Sequence, residues 1–304
     1  MNFFEKLTNT IRQNNSLLCV GLDPEPSMIL SELPAFNKLV IEATADIACA
    51  YKPNLAIYEA MGCEGLAALK ETLQIIRQTD PDIPIIGDGK RADIGPCSIA
   101  YTRMLFDQYN FDAVTVSPYM GTDSLEPFLA RRDKGVFILC HTSNSGAVDI
   151  QELMVIDKDD STARPLYETV AELARKKWNG NGNVGLVVGA TYPQEISRIR
   201  RICPDMLFLI PGVGFQGGTV ASTVQAAVDA RGGGFIINVS RQIMYAAKTP
   251  RGTQSKPAEA IRKMRHTACH IRNEINRHIA NSVASTSEEN IKVDLGKSLL
   301  YQGQ

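Results

Sequence analysis

The sequence predicts an α/β fold in which short buried strands alternate with longer helical segments. Eight apolar or β-branched runs start at intervals of about 31 residues, close to the length of one strand–helix unit. Most runs are apolar throughout instead of alternating, which is typical of parallel strands covered on both faces. The runs are Leu17–Leu22, Ala48–Lys52, Ile83–Asp88, Ala113–Ser117, Gly135–Cys140, Val184–Gly189, Met206–Ile210 and Gly234–Val239.

Eight such units predict a TIM (β/α)8 barrel, and a doubly wound open sheet is the alternative. The length of 304 residues agrees with one large barrel, although a typical domain has only ~150 residues. Right-handed crossovers would join neighbouring strands. The predicted helices are Leu66–Gln78, Ser98–Tyr109, Ser124–Ala130, Ala163–Trp178, Pro193–Ile202 and Thr219–Ala230.

Two segments depart from this repeat. The long polar interval from His141 to Ala163 is interpreted as a substrate-covering loop. Ile261–Ile279 is a helical closing segment, so the single barrel domain is predicted to cover residues 1–280. Residues 281–304 are polar and lack an apolar stripe, and we expect them to form a loosely ordered C-terminal tail.

Composition excludes several classes of protein. Lys and Arg number 32 against 33 Asp and Glu, which gives a formal charge of −1 and no global field for nucleic acid or an anionic membrane. No apolar run approaches the ~18 residues that span a bilayer, and the polar segment Met1–Ser16 does not resemble a signal peptide. The seven cysteines form no C-x-x-C pair. We expect a cytoplasmic protein with reduced thiols.

Polar residues follow the predicted strands with unusual regularity. In a barrel the catalytic groups lie at the C-terminal ends of the strands, so this pattern predicts an enzyme. The polar residues at these ends are Asp23, Lys52, Asn54, Asp88, Lys90, Asp93, Ser117, His141, Thr142, Ser143, Asn144, Thr191, Ser240 and Arg241.

The densest cluster is the segment Asp88-Gly-Lys90-Arg-Ala-Asp93. Asp88 and Lys90 are two residues apart at a strand end, so both side chains can point into the barrel mouth. A lysine between carboxylates stays protonated, which suits a proton donor better than a Schiff-base amine. Lys52 ends the neighbouring strand and could join them around one substrate. The alternative interpretations are a solvated turn and a surface ion pair.

A phosphate site is predicted at the last two strands. The glycine-rich segment Pro211–Gly218 follows the seventh strand, and Ser240-Arg241 follows the eighth. Phosphate sites in barrels are commonly built from these two loops. Glycines let backbone N–H groups approach a phosphate, and Arg241 can bind it with two parallel hydrogen bonds.

These segments resemble orotidine 5′-phosphate decarboxylases, and the match extends from about Leu18 to Ala247. The segment Asp88-x-Lys90-x-x-Asp93-Ile94 is similar to the family's decarboxylation motif. Gly21-Leu-Asp-Pro24, Lys52-Pro-Asn54, Val114–Tyr119, Pro211–Gly218 and Arg241 follow in the family's order. The segments Ser117–Gly121 and His141–Asn144 resemble the longer bacterial subfamily.

The resemblance implies a cofactor-free and metal-free decarboxylation of orotidine 5′-phosphate to UMP and CO2, the last step of de novo pyrimidine nucleotide synthesis. Lys90 would protonate C6 of the pyrimidine, with Asp88 beside the departing carboxylate. Lys52 and Asp93 would complete the charged network. The resemblance also implies a homodimer with shared active sites, in which Asp93 reaches into the site of the other subunit.

The resemblance further implies how the substrate is held. Asp23 and Lys52 would bind ribose hydroxyls, Ser143 would contact the pyrimidine, and Gln216 and Arg241 would bind the phosphate. The remaining expected substrate-binding residues are Asn54, Ile94, Asn144 and Pro211.

Four positions depart from the family pattern. Cys97 replaces a usual threonine, Ser145 a common proline, Ser240 a usual glycine, and Phe215 a small residue. None of these changes removes a charged catalytic residue. We expect them to alter loop geometry and affinity more than the reaction.

Three competing functions remain at the level of sequence. One is a metal-dependent sugar-phosphate decarboxylase that shares the D-x-K-x-x-D motif, and another is an aldolase that forms a Schiff base on Lys90 or Lys52. The third is a barrel that only binds phosphorylated ligands. His266, His270 and His278 have the spacing of one helical face, but no carboxylate or cysteine completes a metal site. They are interpreted as a solvated face.

Overall fold

A computed structural model describes residues 1–25, 32–156, 162–247 and 256–300, with side chains as far as residue 284. Within these residues, eight parallel strands form one sheet, and they are β1 Leu18–Leu22, β2 Ala50–Pro53, β3 Ile86–Arg91, β4 Ala113–Val116, β5 Gly135–His141, β8 Val184–Val188, β9 Phe208–Pro211 and β10 Phe235–Val239. Their order in the sheet is β2-β1-β10-β9-β8-β5-β4-β3. The bridges Tyr51–Ile85 and Asn54–Asp88 connect the two end strands and nearly close the barrel. The predicted TIM barrel is confirmed, and the open-sheet alternative is wrong.

Helices surround the barrel. They are α1 Phe3–Asn14, α2 Leu33–Thr44, α3 Leu55–Ala60, α4 Gly62–Thr79, α5 Gly95–Thr102, α6 Thr122–Leu129, α7 Leu166–Leu173, α8 Pro193–Ile202, α9 Val220–Ala227, α10 Arg241–Met244 and α11 Pro257–Leu300. Wider π-helical turns extend α5 over Arg103–Gln108 and α7 over Ala174–Trp178. The predicted helices that correspond to α4, α6, α8 and α9 are confirmed within a few residues at each end.

Two predicted boundaries are wrong, and a proline explains each. The third strand was expected at Ile83–Asp88 but is Ile86–Arg91, because Pro84 has no N–H to donate to the ladder. Ala163–Pro165 begins no helix: it forms strand β7, antiparallel to β6 at Met154–Ile156. Pro165 disfavours helical geometry at the residue before it, so α7 starts at Leu166.

The helix α1 seals the N-terminal end of the barrel and was not predicted. Asn2 caps it, since the Asn2 side chain accepts from the Glu5 N–H and the Glu5 carboxylate accepts from the Asn2 N–H. Phe3 is buried edge-on to Phe137, with ring centroids 5.7 Å apart. A Cβ on Gly135 would lie 2.3 Å from the Phe3 ring, so this close approach requires glycine there.

The closing helix α11 packs against α2 and α9. Its buried stripe is formed by Met264, Ala268, Ile271 and Ile275, which recur every three or four residues. The helix reaches Leu300, so its backbone continues far beyond the predicted end at Ile279. The loose attachment of residues 281–304 and the domain limits stay predictions. In the described ranges, no helix has the length and apolar character needed to cross a bilayer.

Arg200 joins four elements at the N-terminal end of the strands, away from the barrel mouth. Its guanidinium donates to the backbone carbonyls of Ala227 and Gly234. It also donates to the carbonyls of Cys203, Pro204 and Met206. It also lies 3.7 Å over the Phe208 ring. Burial lowers the pKa of Arg200 to about 10, so it stays charged at neutral pH.

We expect Arg200→Ala to lower the free energy of unfolding by about 3 kcal/mol, because several buried carbonyls would lose their donor. Urea unfolding of both proteins measures the difference. Arg231→Ala is the matched control, since the Arg231 side chain is 72% exposed and the buried Asp229 carboxylate that it contacts keeps the backbone N–H donors of Arg231 and Gly233. Equal losses for the two variants would show that Arg200 does not hold this end of the barrel together.

Candidate active site

A cavity of about 450 Å³ opens at the C-terminal ends of the strands. All eight barrel strands or the loops that follow them contribute to its lining, as expected for the mouth of a barrel. Ten of the predicted site residues line it: Asp23, Lys52, Asn54, Asp88, Lys90, Ser143, Asn144, Pro211, Gln216 and Arg241. The strand-end residues Ser117, His141 and Thr191 do not, and His141 is fully buried beside Glu152.

The centre of the cavity is a carboxylate held between two ammonium groups. Lys52 Nζ lies 2.8 Å from Asp88 Oδ2, and Lys90 Nζ lies 2.7 Å from Asp88 Oδ1. The Thr115 hydroxyl donates to the same Oδ1 at 2.9 Å. Lys52 and Asp88 are buried, whereas the Lys90 side chain is 47% exposed and faces the cavity. The Lys52–Asp88–Lys90 triad is therefore anchored on one side and open to a ligand on the other.

The backbone at Lys90 is bent to make this contact. Its φ of 47° lies in the left-handed region, which costs a residue with a side chain ~1–3 kcal/mol. The pairing of β3 with β4 shifts register between Gly87 and Arg91, and the Lys90 N–H donates to Thr115 Oγ1 at 2.9 Å. Thr115 thus holds both the strained backbone of Lys90 and the carboxylate of Asp88.

The charges of the triad stabilise each other. Burial alone would lower the pKa of Lys52, but the carboxylates of Asp23 and Asp88 outweigh burial and raise it. Burial alone would raise the pKa of Asp88, but the ammonium groups of Lys52 and Lys90 outweigh burial and lower it. Asp88 is therefore an anion and Lys52 a cation throughout the neutral pH range.

Asp23 has a free acceptor in this cavity. Its Oδ1 is buried, and no group in the described part of the chain donates a hydrogen bond to it. A buried carboxylate oxygen without a donor is costly, so a ligand hydroxyl at this point would be stabilised.

The loop after β9 is a tight turn held by glycines. Gly212, Gly214 and Gly217 have φ values of 102°, 83° and 99°, which other residues rarely adopt. Gly214 N–H donates to Gly218 O, and Gly217 N–H donates to Gly214 O, each at 2.9 Å. The loop therefore has a defined tip, formed by the two residues between Gly214 and Gly217.

The loop after β5 is tied to this tip and braced from behind. Ser143 Oγ donates to Gln216 Oε1 at 2.9 Å. Gln151 accepts from the Thr142 N–H and donates to its hydroxyl, both at 2.8 Å, and the Thr142 hydroxyl donates to Asn144 Oδ1 at 2.7 Å. Ser143 and Asn144 thus face the cavity from a loop whose backbone is fixed.

Sequence reasoning missed Thr115 and Gln151 as site residues. Thr115 is a polar residue in the middle of the apolar run of β4, and that interruption was the available signal. Gln151 lies within the long interval after β5, where no local pattern distinguishes it from its neighbours.

Asp93 and Ile94 do not line the cavity of their own chain. The Asp93 N–H donates to Ser98 Oγ, and its Oδ1 accepts from the Ile94 N–H at 2.7 Å. The Ile94 side chain is 56% exposed. Cys97, one of the departures from the family pattern, is exposed nearby, and the charge of Asp93 raises the pKa of its thiol.

In the ranges that the structure describes, no three His, Cys, Asp or Glu side chains are grouped closely enough to hold a metal ion. Within the same ranges the three histidines of α11 form no such group, and His266 and His270 are exposed.

The fold and the cavity define a class of protein: a (β/α)8 barrel with a lysine–aspartate–lysine triad at the mouth. The family described as "Orotidine 5′-phosphate decarboxylase / HUMPS family" matches residues 16–256. The orotidine 5′-phosphate decarboxylase of Roseiflexus sp. (strain RS-1) is 46% identical over 283 residues, which cover 91% of this chain and 98% of the relative. That of Ralstonia pickettii is 45% identical, covering 87% and 95%. The chain therefore belongs to this family.

A solved structure agrees with this assignment. The structure of Leishmania donovani OMP decarboxylase superimposes with a TM-score of 0.79 at 41% sequence identity. The alignment covers 92% of this chain and 99% of that chain.

The lowered pKa of Asp88 predicts a pH-dependent contribution to stability. Since the folded pKa lies below the ordinary value of ~3.9, the stabilisation is present above that value and is lost as the pH falls through the folded pKa. Between pH 5 and pH 3, thermal unfolding should therefore show a steeper loss of Tm for the wild type than for Asp88→Asn.

The matched control is Asp133→Asn, which removes an exposed carboxylate from a surface ion pair with Arg131. Its Tm should decline with pH as steeply as that of the wild type. Parallel curves for the wild type and Asp88→Asn would mean that the triad does not hold Asp88 in its charged form.

Proposed function

We propose that the protein decarboxylates orotidine 5′-phosphate to UMP and CO2, the last step of de novo pyrimidine nucleotide synthesis. The observation that carries the proposal is the Lys52–Asp88–Lys90 triad at the barrel mouth of a chain that belongs to this decarboxylase family. The glycine loop after β9 and Arg241 lie on the same cavity, where a phosphate would bind.

Loss of CO2 from C6 of the pyrimidine leaves an electron pair in the plane of the ring, where the π system cannot delocalise it. A preorganised cation at C6 can stabilise that charge directly. Lys90 is suited to this role because its ammonium faces the cavity and is fixed by Asp88 at 2.7 Å. The same ammonium would then deliver the proton to C6.

Asp88 would act as a permanent negative charge beside the substrate carboxylate. Its lowered pKa supports this role, because a carboxyl group that took up a proton could not repel the substrate. Two like charges ~4 Å apart repel by about 4 kcal/mol at an effective dielectric constant of 20. Departure of CO2 would relieve this repulsion.

The rest of the cavity supports binding at a distance from C6. The free oxygen of Asp23 and the ammonium of Lys52 would bind ribose hydroxyls, with Asn54 beside them. Gln216 and Arg241 would bind the phosphate, next to Pro211. Ser143 and Asn144 would contact the pyrimidine from the braced loop after β5. Binding energy from the phosphate would orient the base at the triad.

The competing functions have less support. The curated relatives are named orotidine 5′-phosphate decarboxylases, not sugar-phosphate decarboxylases. A Schiff base requires a neutral amine, and the raised pKa of Lys52 disfavours that form. We propose that no cofactor or metal takes part, and activity in EDTA would test this directly.

We expect the purified protein to consume orotidine 5′-phosphate in EDTA, followed as loss of orotate absorbance. Lys90→Ala should reduce the rate far more than tenfold, because it removes the proton donor and the cation that faces the developing charge. Lys176→Ala, which removes a lysine from an exposed ion pair with Glu172, should match the wild type. A rate above a tenth of wild type in Lys90→Ala would exclude Lys90 as the acid, and no consumption by the wild type would refute the activity.

We also propose a homodimer in which Asp93 of the partner subunit completes each site. Asp93 lies outside the cavity of its own chain. Exposed apolar side chains follow it at the start of α5, within α5 and in the loop before α6, and α5 packs against α6: they are Ile94, Ile99, Tyr119 and Met120. Apolar residues that are exposed in a single chain are typical of a surface buried between subunits.

Subunit exchange provides the test of the shared site. Asp93→Ala and Lys90→Ala chains should each be nearly inactive, because every site carries one lesion. In a mixed dimer one site carries both lesions and the other carries neither, so an exchanged equimolar mixture should recover about a quarter of wild-type activity. Recovery requires the dimer, so native mass spectrometry should verify the mixed species. A mixture that contains mixed dimers yet stays inactive would place Asp93 in the site of its own chain.

We propose a cytoplasmic location as well. All seven cysteines are free, and four of them, Cys19, Cys49, Cys140 and Cys203, are buried. Unpaired buried thiols are usual where the compartment keeps cysteines reduced.

A further inference from the structure

Phe215 stacks on the guanidinium of Arg241. The Arg241 Cζ lies 3.6 Å from the centroid of the Phe215 ring, well within the range of a cation–π contact. Both residues are exposed and both line the cavity, and the Phe215 side chain is 75% exposed. Because so little of the ring is buried, burial contributes little to its placement. The contact with Arg241 is the interaction that stabilises the ring in this position.

The position of the ring is set by the loop that carries it. Phe215 and Gln216 form the tip between Gly214 and Gly217, which are joined by a backbone hydrogen bond of 2.9 Å. Gln216 is bound to Ser143 on one side, and Phe215 contacts Arg241 on the other. The tip therefore bridges the loop after β5 and the start of α10.

Arg241 has no competing partner in the ranges described. No ion pair joins its guanidinium to a carboxylate in those ranges, and the Phe215 ring is its observed contact. Stacking occupies one face of the guanidinium plane and leaves the N–H groups at its edge free. Those edge groups are the ones that bind a phosphate through two parallel hydrogen bonds.

We infer that Phe215 is a positioning residue that holds Arg241 ready for the phosphate of a nucleoside monophosphate. The inference rests on the proposed phosphate role of Arg241. A free arginine side chain must lose rotamer freedom when it binds an anion. The stack restricts that freedom before the ligand arrives, so a smaller residue at position 215 would leave Arg241 with more entropy to lose.

The experiment compares Phe215→Leu with Phe215→Trp. Leucine keeps an apolar side chain without an aromatic face, and tryptophan restores a face for the guanidinium. Phe215→Leu should raise KM for orotidine 5′-phosphate and weaken inhibition by UMP ~2- to 5-fold, with kcat unchanged. The kcat/KM for orotidine, which has no phosphate, should not change. Phe215→Trp should return both phosphate-dependent values to near wild type.

A double-mutant cycle with Arg241→Ala separates positioning from a general effect on the loop. In the Arg241→Ala background, Phe215→Leu should have no further effect on KM or on UMP inhibition. The inference is overturned if Phe215→Leu changes nothing, if it lowers kcat/KM equally for orotidine and its 5′-phosphate, or if its effect persists without Arg241.

The same measurements distinguish failure of the inference from failure of the phosphate site. Arg241→Ala alone should weaken the 5′-phosphate far more than orotidine. Equal effects of Arg241→Ala on both substrates would refute the phosphate role itself and the inference with it. A selective effect of Arg241→Ala combined with no effect of Phe215→Leu would retain the phosphate site and reject Phe215 as its positioning residue.

Discussion

The arrangement on which the site depends is one buried carboxylate, Asp88, between two ammonium groups. An isolated charge cannot be buried at this depth without a large cost, so each member of the triad requires the others. Lys52 reaches Asp88 from the neighbouring strand, and the Thr115 hydroxyl reaches it from the strand on the other side. The network therefore exists only when β2, β3 and β4 are correctly placed, and it ties the chemistry to the closure of the barrel between β2 and β3.

The same network holds the strained backbone conformation of Lys90. Lys90 has a left-handed backbone in a strand whose pairing shifts register, and it is held there by the Thr115 hydroxyl and the Asp88 carboxylate. Without that bend, the Lys90 ammonium could not both contact Asp88 and face the cavity. Strain of this kind persists only where surrounding contacts determine the conformation, and the rigid strands of a barrel provide those contacts.

The two ends of the barrel differ in the contacts that their polar groups make. At the N-terminal end, Phe3 seals the interior and Arg200 connects the starts of β9 and β10 to the helices outside. At the C-terminal end, the part of the chain that the structure describes shows no protein partner for Oδ1 of Asp23 and only the Phe215 ring against the guanidinium of Arg241. Contacts at one end stabilise the fold, so that the other end can keep binding groups free for a ligand.

The sequence by itself determined the barrel and most of the site, because both follow from local patterns of apolar and polar residues. Apolar runs with one strand–helix period specify a parallel sheet, and the residues that follow parallel strands must meet at one edge. For that reason Lys52, Asp88, Lys90 and Arg241 could be expected at one barrel mouth from their positions, while a solvated turn and a surface ion pair stayed open as alternatives for the first three.

Only the tertiary structure decided which side chains touch. The Thr115 bond to Asp88, the strain at Lys90 and the stack of Phe215 on Arg241 join segments far apart in the chain. Such contacts depend on strand register and loop geometry, which follow from the packing of the whole barrel and not from any local pattern. For Asp93, the resemblance already implied a place in the site of another subunit, and the fold shows that Asp93 does not line the cavity of its own chain.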